Sequence, residues 1–138
     1  MRRVALVGAV VIAMMVGLLD EVCARDLRIV VEPPIPTSAT PVSVSAWWDS
    51  FPDTGQQLVG TYFNWAGTSI DLTVVLQDLY GSGLIFLPVI TSCGGDVDLG
   101  LLQPGQYHVS AHMLMIPWYD GNAVLYAEGT RDFTVVPE

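Results

Sequence analysis

Between Gln106 and Ile116 the chain alternates strictly, with Tyr107, Val109, Ala111, Met113 and Met115 on one side and His108, Ser110, His112, Leu114 and Ile116 on the other. A period of two belongs to a strand that buries one face. The pattern recurs through residues 25–138, where helical spacing is absent. It predicts strands over Leu27 to Glu32, Pro41 to Trp48 with Val42, Val44 and Ala46 on one face, and Ala123 to Val136 with a bulge at Gly129. Val59 to Trp65 and Ser69 to Gln77 read as a hairpin closed by Ala66-Gly67-Thr68. Phe63 and Trp65 share one side of it, and Ile70, Leu72, Val74 and Leu76 alternate with Asp71, Thr73, Val75 and Gln77. Leu84 to Thr91 is more continuously apolar, the pattern of a strand buried on both sides or at a sheet crossover, whereas Ser92 to Asp98 is polar and reads as a loop. Breaks fall at Pro33 to Pro36, Asp49 to Gln57, Gly81-Ser82-Gly83, Gln103-Pro104-Gly105 and Trp118 to Asn122, where Asp120-Gly121 reads as a tight hairpin dipeptide. About seven strands follow, the count of an all-β antiparallel sandwich filling residues 25–138 as one domain.

The first 24 residues read differently. Arg2 and Arg3 precede sixteen residues, Val4 to Leu19, that are apolar or Gly, and Val22 and Ala24 occupy the −3 and −1 positions of a small-residue cleavage site. This is the pattern of a helical signal peptide cut between Ala24 and Arg25. The run falls short of the ~20 apolar residues of a spanning helix, so membrane contact is expected only through this segment if it stays uncleaved. The implied location is secreted, periplasmic or on the cell surface. Cleavage removes Cys23 and leaves Cys93 alone, so the domain cannot form an internal disulfide and must be held by its core. Cys93 then reads as a small buried hydrophobe, with an intermolecular bridge or a metal ligand as the sharper alternatives. Three Arg and no Lys remain against twelve acids, so the net charge is −9 with or without the segment. Such an acidic chain is not a nucleic-acid binder, and 51% hydrophobic residues exclude disorder.

Residues 102–109, Leu-Gln-Pro-Gly-Gln-Tyr-His-Val, deliver Tyr107 from the Pro104-Gly105 turn into a strand, where its hydroxyl can reach back to the upstream backbone, the logic of a tyrosine corner. Together with the Pro-rich stretch 33–41, the Ser-Val-Ser strand, the Gly-turn hairpin and the closing Phe133-Thr134-Val135, this resembles bacterial secreted immunoglobulin-like or fibronectin type III-like modules over most of residues 27–136. The resemblance implies an immunoglobulin-like sandwich and no particular activity. The core cysteine pair of disulfide-bonded immunoglobulin domains is missing.

Chemistry is thinly signalled. Cys93, His108, His112, Met113 and Met115 are copper-ligand types, but positions 108 and 112 lie ~13 Å apart along a strand. Asp96 and Asp98, after Gly94-Gly95 in the expected loop, are weak calcium candidates. No nucleophile elbow is present, and neither catalysis nor a cofactor is expected. The aromatics carry more. Adjacent Trp47 and Trp48 must put rings on opposite faces, and Trp118 and Tyr119 sit at a turn tip. The expectation is a structural or protein-binding module, with the alternative that Trp47, Trp48, Trp118 and Tyr119 stack on a polysaccharide. A protease-inhibitor-like or adhesin-like module that presents the Asp49 to Gln57 and Trp118 to Asn122 tips is a third reading.

Overall fold

A computed structural model describes residues 25–81 and 83–138; the expected signal segment and Ser82 lie outside the described residues. Among the described residues, seven strands form two sheets. Strands β1 (Arg28–Glu32), β2 (Val42–Phe51) and β5 (Thr91–Gly100) make a sheet in the order β1-β2-β5. Strands β3 (Gln56–Ala66), β4 (Ser69–Asp78), β6 (Gly105–Ile116) and β7 (Val124–Val135) make the other, in the order β3-β4-β6-β7. The result is a two-sheet, sandwich-like all-β fold.

The alternation explains how the sheets pack. From the larger sheet Ile70, Leu72, Val74, Leu76, Val109, Ala111 and Met113 are buried, and from the smaller sheet Ile29, Val31, Val42, Val44 and Ala46 meet them in one core cluster. Burial of each such aliphatic side chain contributes about 1.5–3 kcal/mol, and among the described residues no disulfide supplements it. At one flank the chain before β1 runs beside β7: the Leu27 amide donates to the Glu128 carbonyl, the Glu128 amide to the Arg25 carbonyl, and the Arg131 guanidinium to the Ile29 carbonyl at 2.7 Å. At the other flank β3 presses on β5, where a Cβ on Gly95 would lie 2.1 Å from the Thr61 hydroxyl. The three-stranded sheet does not reach across all of β3. Leu58, Phe63 and Trp65 pair with inward-facing Leu76, Leu72 and Ile70, yet each stays partly exposed.

One pairing departs from the expected all-antiparallel arrangement: β4 and β6 run parallel, with Ser69 to Gln77 in register with His108 to Ile116. Parallel neighbours need a long connection, and here it passes through β5 in the opposite sheet. Five further expectations are corrected. The polar segment Ser92 to Asp98 is not a loop but most of β5. Its outward positions are polar because that face is solvated, and Gly94 is required because a Cβ there would strike the Ala46 carbonyl at 2.1 Å and the Trp47 ring. Leu84 to Ile90 is not a strand; Pro88 interrupts it, and the place beside β2 is taken by the segment that follows. The Asp49 to Gln57 loop shrinks to Pro52–Gly55, because β2 continues to Phe51, which is buried. The bulge in β7 falls at Tyr126, opposite the Met113/Leu114 step, while Gly129 stays in register and lets the Leu27 backbone approach. Asp120-Gly121 does not close a two-residue hairpin; Gly121 is not among the positive-φ residues, and the connection runs from Pro117 to Ala123.

Tyr107 is buried, and its hydroxyl donates to the Gln103 carbonyl at 2.7 Å, the reach-back bond of a tyrosine corner. Its ring stacks on Phe133 at 5.3 Å and meets Trp65 edge-on. Gly105, at φ 149°, supplies the turn that starts β6. Tyr107→Phe is expected to cost about 1 kcal/mol, a fall in Tm of about 4 °C in a domain of this size, measured by thermal denaturation. Gly94→Ala is expected to cost more, about 1–3 kcal/mol by overpacking, because the backbone it meets cannot rotate away; an unchanged Tm would contradict the close β2–β5 approach.

Candidate docking surface at one end of the sandwich

Because β2 ends, β3 begins, β4 ends, β5 begins, β6 ends and β7 begins at the same end of the sandwich, three connections gather there: residues 52–55, 79–90 and 117–123. Hydrogen bonds tie the first two together. The Leu79 amide donates to the Gly55 carbonyl at 2.8 Å and the Leu87 amide to the Thr54 hydroxyl at 3.0 Å, while Phe86 lies against Gly55. Trp118 joins the third loop to the second by lying so close over Gly81 that a Cβ there would be 2.3 Å from its ring. Asp53, Asp78 and Asp120 act as local braces, their carboxylates accepting from the amides of Gly55, Tyr80 and Asn122. An open hollow of about 490 Å³ remains between Asp53, Tyr80, Leu84, Phe86 and Pro88.

The surface of this end is apolar to an unusual degree. Ile85 is 97% exposed, Ile90 78%, Tyr119 74% and Trp118 54%, with Leu84, Leu87, Val89 and Tyr80 also exposed. Isolated exposed aliphatics need no explanation, whereas exposed apolar side chains grouped on one end of a domain are a feature that calls for one. Only Trp118 and Tyr119 were legible as candidates. The aliphatic group was hidden because a continuous apolar run has the composition of a buried strand; the contrary signal was Pro88 inside it and the glycines before it. Near this end a second small cluster, Val75 and Leu114 with Ile116, Ala123 and Leu125, covers the outer face of the larger sheet.

The other candidates are dispersed. Trp47 faces outward but lies flat across Gly94, its Nε1 donating to the Ser45 hydroxyl at 2.9 Å and the Arg28 guanidinium 5.9 Å from its ring. Trp48 points inward, edge-on to Tyr126, its Nε1–H buried without a hydrogen-bond partner among the described residues. Both rings are partly buried and lie on β2, whereas Trp118 and Tyr119 lie on the 117–123 loop. Asp96 and Asp98 project from β5, opposite Ser45 and Ser43, and two positions along a strand separate them by roughly 7 Å. His108 pairs with Asp132 and His112 faces Glu128 at 3.8 Å, whereas Met113 and Met115 are in the core. The expected copper-type residues are therefore not brought together. Among the described residues no group of three or more His, Cys, Asp or Glu is placed to hold a metal. Cys93 is half-buried against the core, and burial raises its thiol pKa, which keeps it protonated and weakly nucleophilic. No known protein family, curated protein or solved structure matches the chain.

One ion pair ties the smaller sheet together across its strands. Asp49 accepts two hydrogen bonds from Arg28, at 2.8 and 3.0 Å, and one from Ser92. These bonds, with Arg28 the larger cause, hold its carboxyl below the usual carboxylate range. Because the folded value is depressed, the contribution to stability is present above the unfolded pKa of about 3.9 and is lost as pH falls through the folded value. A carboxyl-detected NMR titration is expected to show Asp49 ionising below ordinary aspartates, and Arg28→Gln to move it back up toward them. An Asp49 midpoint that does not change in Arg28→Gln would refute the pairing.

Proposed function

We propose that the chain is an exported, non-catalytic immunoglobulin-like β-sandwich module with a structural or binding role, and that it acts by docking its loop end onto a partner surface. The observation that carries this reading is the uncovered group Leu84, Ile85, Leu87 and Ile90 beside Trp118 and Tyr119, on loops that hydrogen bonds and ring contacts hold in place. A pre-ordered surface loses less entropy on binding than a floppy one. The Tyr107 corner and the seven-strand count support the immunoglobulin-like assignment, although the parallel β4–β6 pair gives the larger sheet its own strand order. Residues 1–24 support export by their sequence.

Carbohydrate binding is the alternative, favoured by the exposure of both Trp118 and Tyr119. Their rings stand at 89° to each other, 5.7 Å apart, so they do not form one flat stacking platform, and the aliphatics around them offer a sugar no hydrogen bonds. Photo-crosslinking residues installed at Ile85 and Tyr119 are expected to label a discrete partner in the producing cell, while the same residue at Asp98 or Thr134 does not. Equal labelling from all four positions would refute loop-end docking. Binding to a polysaccharide that disappears in Trp118→Ala and persists in Ile85→Asp would establish the alternative instead.

A further inference from the structure

We propose that the partner of the loop end is a lipid surface: Leu84, Ile85, Leu87, Ile90, Trp118 and Tyr119 rest in the headgroup layer of a zwitterionic bilayer. This rests on the loop-end docking reading and names its ligand. The direction of the chain is the first argument. Asp26 pairs in parallel with Glu128, and Arg25 lies over the Tyr126 ring with its guanidinium donating to the Tyr126 carbonyl. Since β7 starts at the loop end, Arg25 lies toward that end and residues 25–27 lead away from it. What that chain carries is Val4 to Leu19, joined to Arg25 by Asp20 to Ala24. Those five residues span at most roughly 17 Å when extended. Where the apolar run is retained and enters a bilayer, that short link brings this end of the sandwich, and not the opposite one, to the lipid surface.

The composition of the patch is the second argument. Branched aliphatics beside an exposed Trp and Tyr are the side chains that settle at a membrane interface, the rings placing apolar bodies inward and polar edges in the headgroups. Charge decides the class of lipid. Among the described residues, the rim of the patch holds Asp53, Asp78 and Asp120 against the single cation Arg25, whose guanidinium is taken up by the Tyr126 ring and carbonyl. An anionic leaflet repels such a rim, whereas the ammonium groups of phosphatidylcholine complement it.

Vesicle flotation tests the proposal on the chain cut after Ala24, which contains all seven strands and the whole core, so that the apolar run itself cannot dominate. This chain is expected to float with phosphatidylcholine vesicles and to lose at least tenfold of that association when a third of the lipid is phosphatidylglycerol. Ile85→Asp with Leu87→Asp is expected to abolish flotation at an unchanged Tm, since both side chains are exposed. In the full chain, an environment-sensitive fluorophore on Ile85→Cys is expected to shift to the blue on insertion, and one on Asp98→Cys to stay aqueous. The proposal is overturned if the cut chain does not float, if the double variant floats as well as the parent, or if sedimentation shows the parent to be a dimer and the double variant a monomer. If flotation fails while crosslinkers at positions 85 and 119 still label one protein, loop-end docking stands and only the lipid assignment falls; if both fail, both readings fall.

Discussion

The parallel pairing of β4 with β6 constrains everything downstream of the first hairpin. Both strands are buried on their inner faces, and Ile70, Leu72, Val74 and Leu76 sit in register with Val109, Ala111, Met113 and Met115 across the core. Two strands pointing the same way cannot be joined by a tight turn. The chain must travel the length of the sandwich once more between them, and it does so as β5, in the opposite sheet. That detour leaves the long connection 79–90 outside both sheets, at the end where β4 stops and β5 starts. The apolar loop end is thus a by-product of the sheet order, fixed in place by Thr54, Gly55, Gly81 and Trp118.

The strands whose residues alternate were legible, and so was the register of the core: Val42, Val44, Ala46 and the inward rows of β4 and β6 face as their spacing dictates. Tyr107 was legible because a turn followed by a strand leaves its hydroxyl only one direction to reach. Two neighbouring segments were read in exchange for one another. Leu84 to Ile90 has the composition of a buried strand and lies exposed; Ser92 to Asp98 has the composition of a loop and forms β5. Composition ranks segments by their own hydrophobicity, whereas strand placement here is decided by close approach, with two glycines fitting beneath Trp47 and against Thr61. No single-chain pattern reports such a contact. The same limit applies to Trp47, whose exposure depends on whether a glycine lies across the sheet from it.

Charge is distributed with a consequence for recognition. The three Arg side chains among the described residues are all engaged within the domain: Arg25 on Tyr126, Arg28 on Asp49, Arg131 on the Ile29 carbonyl. Arg25, beside the loop-end start of β7, is engaged on Tyr126, so the charged side chains around the apolar centre itself are the carboxylates Asp53, Asp78 and Asp120. Surfaces of like sign are turned away before contact, and neutral or cationic ones are not. On the proposed reading, selectivity comes from what the rim refuses, while adhesion comes from the apolar centre.

The parallel run of the first described residues beside β7 has a mechanical meaning. Arg25 leaves at the loop end and Val135 finishes β7 at the other, so a pull on the two ends of the domain slides residues 25–27 along β7 instead of peeling them off. The Leu27–Glu128 and Glu128–Arg25 backbone bonds and the Arg131–Ile29 bond then lie across the direction of sliding and are stretched together. A sandwich without a disulfide obtains in this way a clamp against extension, made of ordinary hydrogen bonds in shear.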